Sequence, residues 1–172
     1  MFLNSIKFFF LKNKVTKKLT QARMLTCFGE VNQVGVLVEK DNLDKVRVVE
    51  QELQKCKIKP IHFHYLIYDK EYKDKQSKTL PTFGFNCIGL TGGFKSEAVK
   101  EFVARDFDIM VNYFDVDCPV LKLVSLESNA KLHTGFDFAE CSLNTLAIKT
   151  AVTEAKVFSF ELIRYLNILN KL

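Results

Sequence analysis

DIMVNYFDVDCPVLKLVSLESNAKLHTGF, residues 108–136, contains two apolar strands with an apolar helix between them. Asp108 to Phe114 is a nearly unbroken apolar run, the pattern of a strand buried on both faces. Pro119 suits the first turn of a helix, where a missing N–H costs nothing, and that helix continues through Val120, Leu121 and Val124. Lys131 to Phe136 is the second strand. A strand, a helix and another strand joined this tightly make a βαβ unit, which requires parallel pairing and a right-handed crossover.

The same alternation extends in both directions. Val31 to Glu39 (VNQVGVLVE) is another buried strand, and Asp41 is placed to cap the helix after it, with Asp44 as the acidic partner of a capping box. Leu43, Val46, Val49, Leu53 and Cys56 give that helix one apolar face. Ile61 to Tyr68 reads as a strand, and Lys70 to Lys78 as a solvated loop. Thr82 to Leu90 reads as short, aromatic and extended, closed by the turn signal Gly92-Gly93. Ser96 caps a helix through Val99, Phe102 and Val103. Leu146 to Thr150 completes the strands, and a last helix runs from about Glu154 to Leu172. The expectation is a three-layer Rossmann-like or flavodoxin-like sandwich around a mostly parallel sheet. Strand order is not readable from the pattern.

A chain of 172 residues with 48% apolar composition fits one domain with a full core. Its charge is unevenly placed. No acidic residue precedes Glu30, while Lys7, Lys12, Lys14, Lys17, Lys18 and Arg23 do; the rest carries nineteen basic against twenty acidic residues. The formal charge of +5 therefore resides in the N-terminal stretch. This divides the chain into a basic, aromatic-rich helical arm, 1–29, and a single α/β domain, 30–172.

Five cysteines, Cys27, Cys56, Cys87, Cys118 and Cys141, form no CxxC pair and no zinc spacing, which reads as reduced thiols in a cytoplasmic protein. Phe2 to Leu11 is interrupted by Asn4, Ser5 and Lys7 and lacks the cleavage site of a signal peptide. No run approaches the ~20 apolar residues of a spanning helix. Export and membrane spanning are not expected.

At about 100° per residue, Phe2, Leu3, Ile6, Phe9 and Phe10 share one face of the arm helix. Leu11, Val15, Leu19 and Ala22, with Phe8, form a second stripe offset from the first. Either the helix bends near Lys12 to Lys14 or its two stripes touch different surfaces. Six cations without an acid favour a polyanion, through Lys7, Lys12, Lys14, Lys17, Lys18 and Arg23 with Phe2, Phe9 and Phe10 beside them. RNA would be met by lysine on phosphate, an anionic membrane by the phenylalanines entering the interface. The plainer account is that the stripes dock on the protein's own body or on a second copy, making a homodimer through the arm.

Elsewhere the chemistry is thin. In doubly wound sheets ligands sit beyond the carboxyl ends of the strands. Asp41, Asp69, Asp115 and Asp117 fall there with Cys118, as do Glu39 and Asp137, so a crevice for a nucleotide or phosphosugar held through a hard cation is one reading. The bland reading makes Asp41 and Asp117 helix caps. Cys118 precedes a helix, which can lower a thiol pKa, yet no histidine or asparagine is assignable to activate it. His62 and His64 alternate on one strand face, too few for zinc. Thr91 to Ser96 (TGGFKS) lacks phosphate-loop spacing, and no GxGxxG follows the first strand. No catalytic residue, metal site or cofactor is assigned.

The order of a basic N-terminal helix, VGVLVEKDNLDKVRVVEQELQK (34–55), FNCIGLTGGFKSEAVKEFVARDFDIMVNYF (85–114) and LKLVSLESNAKLHTGF (121–136) resembles a family of short proteins from Bacteroidota bacteria, a domain of unknown function. That resemblance covers nearly the whole chain and implies an α/β fold and a cytoplasmic location. It brings no catalytic residues. The functional expectation is a non-catalytic binding protein whose cationic arm anchors it to structured RNA, the ribosome in particular. A peripheral membrane protein, or an enzyme acting at the strand ends, are the alternatives.

Overall fold

The computed structural model describes residues 2–19, 29–57, 59–73, 79–137 and 143–172. The elements run α1 (Phe2–Leu19), β1 (Gln33–Glu39), α2 (Leu43–Lys55), β2 (His62–Tyr68), β3 (Thr82–Phe83), α3 (Glu97–Ala104), β4 (Asp106–Tyr113), α4 (Pro119–Glu127), β5 (Asn129–Phe136), β6 (Leu146–Ile148) and α5 (Ala155–Ile168). All five strand pairings are parallel, in the order β3-β2-β1-β4-β5-β6. This is the Rossmann-like sandwich that the alternating pattern predicts. The order reverses direction between β1 and β4.

The reversal assigns the helices to faces. The β1–α2–β2 and β4–α4–β5 units cross in opposite directions, so right-handed crossovers put α2 and α4 on opposite sides. Val34, Val36 and Val38 of β1 pack with Val46 and Val49 of α2 and Phe158 and Leu162 of α5. Leu37 of β1 packs on the other side with Val99 and Phe102 of α3, and with Leu121 and Val124 of α4. Leu11 and Val15 of α1 belong to this second core. Each strand interior is therefore apolar on both faces, as its sequence requires.

Several local expectations are corrected. Asp41 does not cap α2: a 3-10 turn over Lys40–Asn42 follows β1 directly, so Asn42 holds the cap position, its Oδ1 accepting from Lys45 Nζ at 2.8 Å. Asp117 does not cap α4, because Pro119 at the first helical position puts Cys118 at the cap. Ser96 does hold the cap position of α3, though its side chain makes no capping bond. Thr82 to Leu90 is extended only at Thr82–Phe83; Phe85–Cys87 is a 3-10 turn and Ile88 bridges Phe94. Cys56, placed on the apolar face of α2, is exposed. The last helix stops at Ile168, where Asn170 adopts φ 54° and Lys171 N–H returns to Leu166 C=O at 2.9 Å, a Schellman-type end. Lys171 C=O in turn accepts from Val31 N–H at 2.9 Å, tying that end to the lead-in of β1.

Candidate functional site

α1 runs from Phe2 to Leu19 without a break, so its offset stripes point to different surroundings. The second stripe faces the body: Leu11 is wholly buried and Val15 4% exposed, with Leu19 partly covered. Phe8, read with that stripe, is 46% exposed. The first stripe faces outward, with Phe9 62% and Phe10 52% exposed and their rings edge to face at 6.1 Å. Of Phe2 only the backbone is described, and Ala22, Arg23, Cys27 and Phe28 lie outside the described residues.

The docked face is fastened by lysines. Lys14 and Lys18, one turn apart, each reach a carboxylate oxygen of Glu127 at the end of α4, both at 3.0 Å. Lys14 Nζ also donates to Gly92 C=O at 3.2 Å. Burial pushes the Glu127 carboxyl up, but the two ammonium groups more than offset it and hold it below the usual range. Lys7 is buried, donating to Phe85 C=O at 2.5 Å with its ammonium 4.0 Å from the Phe85 ring centre. Burial, then the nearby Lys95, lowers its pKa. Lys12 and Lys17 are exposed.

Gly92 shapes this contact. Its φ of +79° is left-handed, and a Cβ there would lie 3.0 Å from Lys14 Cδ and 3.5 Å from both Leu11 Cδ2 and Leu123 Cδ2. The GlyGly turn read in the sequence is thus the seat on which α1 lies. Glu127 and Phe85 were not singled out from sequence. The available signal was α4, whose apolar circumference demands cover on every side.

The strand-end crevice is occupied by internal pairs. Glu39 and Asp69 are buried; Lys70 reaches Glu39 at 3.2 Å and Lys40 reaches Asp69 at 3.1 Å. Asp69 Oδ1 also accepts from Glu71 N–H at 3.0 Å. Asp117 pairs with Lys122 at 2.5 Å, which is the leading reason its pKa is lowered. Asp41 and Asp115 are exposed. Cys118 is half-buried beside Tyr68, whose pKa is raised by burial first and by Cys118 next. Among the described residues, no group of three or more His, Cys, Asp or Glu could hold a metal ion. Nor is the β1–α2 turn shaped for phosphate: it carries Glu39, Asp41 and Asp44 where a nucleotide fold places glycines.

His62 is exposed, and His64 Nε2 meets Gln33 Oε1 at 2.8 Å with its ring 5.9 Å from that of Phe107. His133 is buried, its Nδ1 3.3 Å from Ser125 Oγ. Thus no two histidines converge on a common site. Among the described residues no helix is long and apolar enough to cross a membrane.

No curated protein and no solved structure matches the chain. A family match spans residues 7–169, from the buried lysine of α1 to the end of α5. The chain belongs to a family of unknown function, DUF6913.

Proposed function

We propose that this is a non-catalytic attachment protein that lays the outward face of α1 on an anionic membrane surface. The observation that carries the reading is the exposure of Phe9 and Phe10 on a helix whose opposite face is already docked. Such a helix cannot bury these rings by rotating, since rotation would expose Leu11 and break the Glu127 clamp. An aromatic end bordered by lysine is the composition of an interfacial helix: rings enter the acyl boundary while Lys12 and Lys17 meet headgroups. The buried carboxylates at the strand ends support a non-catalytic role, because Glu39 and Asp69 are each held by a lysine.

Structured RNA, the ribosome included, is the second reading. What favours it is the same adjacency of exposed lysine and exposed ring, since bases stack on aromatic faces while ammonium groups neutralise phosphates. Among the described residues, Lys7, Lys14 and Lys18 are engaged by the body, which weakens a purely electrostatic grip.

Flotation with vesicles containing phosphatidylserine separates the two readings. The protein should float with them, and Phe9→Ser with Phe10→Ser should weaken partitioning by at least about tenfold, because each ring forfeits about 1.5 kcal/mol or more of burial. Co-sedimentation with ribosomes that is lost at high salt, without flotation, would replace the membrane reading by the RNA one.

A further inference from the structure

The outer face of α5 is apolar where its neighbour's is not. Ala155, Phe158, Leu162 and Leu166 turn one side of α5 into the core. At about 100° per residue the opposite side carries Val157, Phe160, Arg164 and Ile168, and it points away from the sheet. Val157 is 46%, Phe160 66% and Ile168 63% exposed. α2 packs beside α5 on the same face of the sheet, yet its exposed positions Asp44, Arg47, Gln51 and Lys55 are all polar, as a solvated helix requires. Three large exposed apolar side chains within about three turns are therefore a feature of α5 and not of that side of the molecule.

The stripe is self-complementary. Val157 and Ile168 stand equally far, five and a half positions, from the midpoint between Leu162 and Ile163. Glu161 and Arg164 stand one and a half positions from the same midpoint. Two antiparallel copies related by a twofold axis through that point bring each residue opposite the one equidistant from it. Val157 of one copy then meets Ile168 of the other at both ends, and Glu161 meets Arg164 twice in the middle. Phe160 falls one position out of register with Arg164 of the other copy, within reach of its guanidinium. No existing bond has to break. Within one chain Arg164 donates Nε and Nη2 to Glu161 Oε2, at 3.0 and 2.6 Å, and its guanidinium lies 4.5 Å from the Tyr165 ring centre. Both bonds use one carboxylate oxygen, so Arg164 of the other copy can take Oε1 and close a ring of alternating charge. Because Glu161 and Arg164 cancel, the stripe lacks the cationic border that α1 offers to anions.

We infer that α5 pairs with α5 of a second copy in an antiparallel, twofold-symmetric dimer centred between Leu162 and Ile163. Three turns of helix bury less than the ~1,200 Å² at which standard interfaces begin, so the dimer is weak and forms only in concentrated solution. This surface lies on the opposite side of the sheet from α1 and stands whichever partner α1 meets.

Sedimentation equilibrium of the full chain tests it. A monomer–dimer equilibrium with a dissociation constant of roughly 10–100 μM is expected. Phe160→Glu should weaken it at least about tenfold, since a buried ring is replaced by a charge without a partner. Glu161→Arg and Arg164→Glu should each weaken self-association, as like charges then face each other across the axis. Mixing these two variants should restore association, because every central contact between unlike copies is again an ion pair. An effect confined to one chain could not do this. No dimer up to about 1 mM, a dimer indifferent to Phe160→Glu, or a mixture no better than its components would each overturn the inference. So would a dimer lost in Phe9→Ser with Phe10→Ser, which would belong to the arm. Vesicle flotation that Phe160→Glu abolishes would also overturn it, assigning the stripe to a membrane.

Discussion

Asp108 shows how much a single side chain can hold in this fold. Its Oδ2 accepts the backbone N–H groups of Asn32 and Gln33, both at 2.9 Å, and its Oδ1 takes Lys131 Nζ at 2.8 Å. One carboxylate thus fastens the entry of β1 to β4 and β5. Burial raises its pKa, but these donors win and hold it below the usual carboxylate value. A depressed folded-state pKa means stability that is present above the unfolded value, near 3.9, and lost as pH falls through the folded one. Asp108→Asn keeps the shape and loses the charge. It should cost about 2 kcal/mol at neutral pH, lowering Tm by roughly 4–8 °C, and the gap from the parent should narrow below about pH 4. Thermal melts at pH 7 and pH 3 check this; a gap of constant size would show that the carboxylate's charge is irrelevant. None of this was legible in the sequence. Asp108 read there as the first residue of a buried strand, and its backbone partners lie 75 and 76 residues away.

At the scale of elements, periodicity was legible and boundaries were not. The β1, α2, β2, β4, α4 and β5 segments were all visible, because apolar period is a property of the segment itself. The caps of α2 and α4 were misplaced by one residue each. A 3-10 turn after β1 and a proline at the start of α4 shift the first helical residue, and neither effect appears in an apolar pattern. The arm shows the same division. Its two stripes were visible, but which one docks was decided by α4, whose residues from Pro119 to Leu126 are all buried. Leu11 closes over Leu123 above Gly92, so Leu11→Ala should remove a packed contact and cost about 2–5 kcal/mol. Glu127→Gln weakens a clamp whose groups are about one-quarter to one-third exposed, and should cost less than about 1 kcal/mol. Urea denaturation of both variants measures the order. A Leu11→Ala protein as stable as the parent would mean that α1 is not part of the cooperative unit.

The whole molecule raises the question of whether the sheet can do without α1. Strand order was not legible, because every strand interior is apolar on both faces and nothing in such a strand names its neighbour. Once the order is known, the covering of each face can be followed. One face is closed by α2 and α5, which pack on each other. The other has α3 and α4, and α4 is roofed by α1. Gly92, Leu123 and Phe85 all lie beneath that roof. A protein lacking residues 1–19 would therefore keep its six strands and lose the outer closure of its second core. An exposed apolar patch of this kind drives association. The truncated chain should retain its far-ultraviolet signal apart from one helix, bind a hydrophobic dye, melt at lower temperature and sediment above monomer mass. If α1 were instead a tethered arm with no share in the core, truncation would leave both Tm and mass per particle unchanged. Membrane flotation should be lost in either case, so sedimentation and Tm decide whether the attachment helix is also a structural wall.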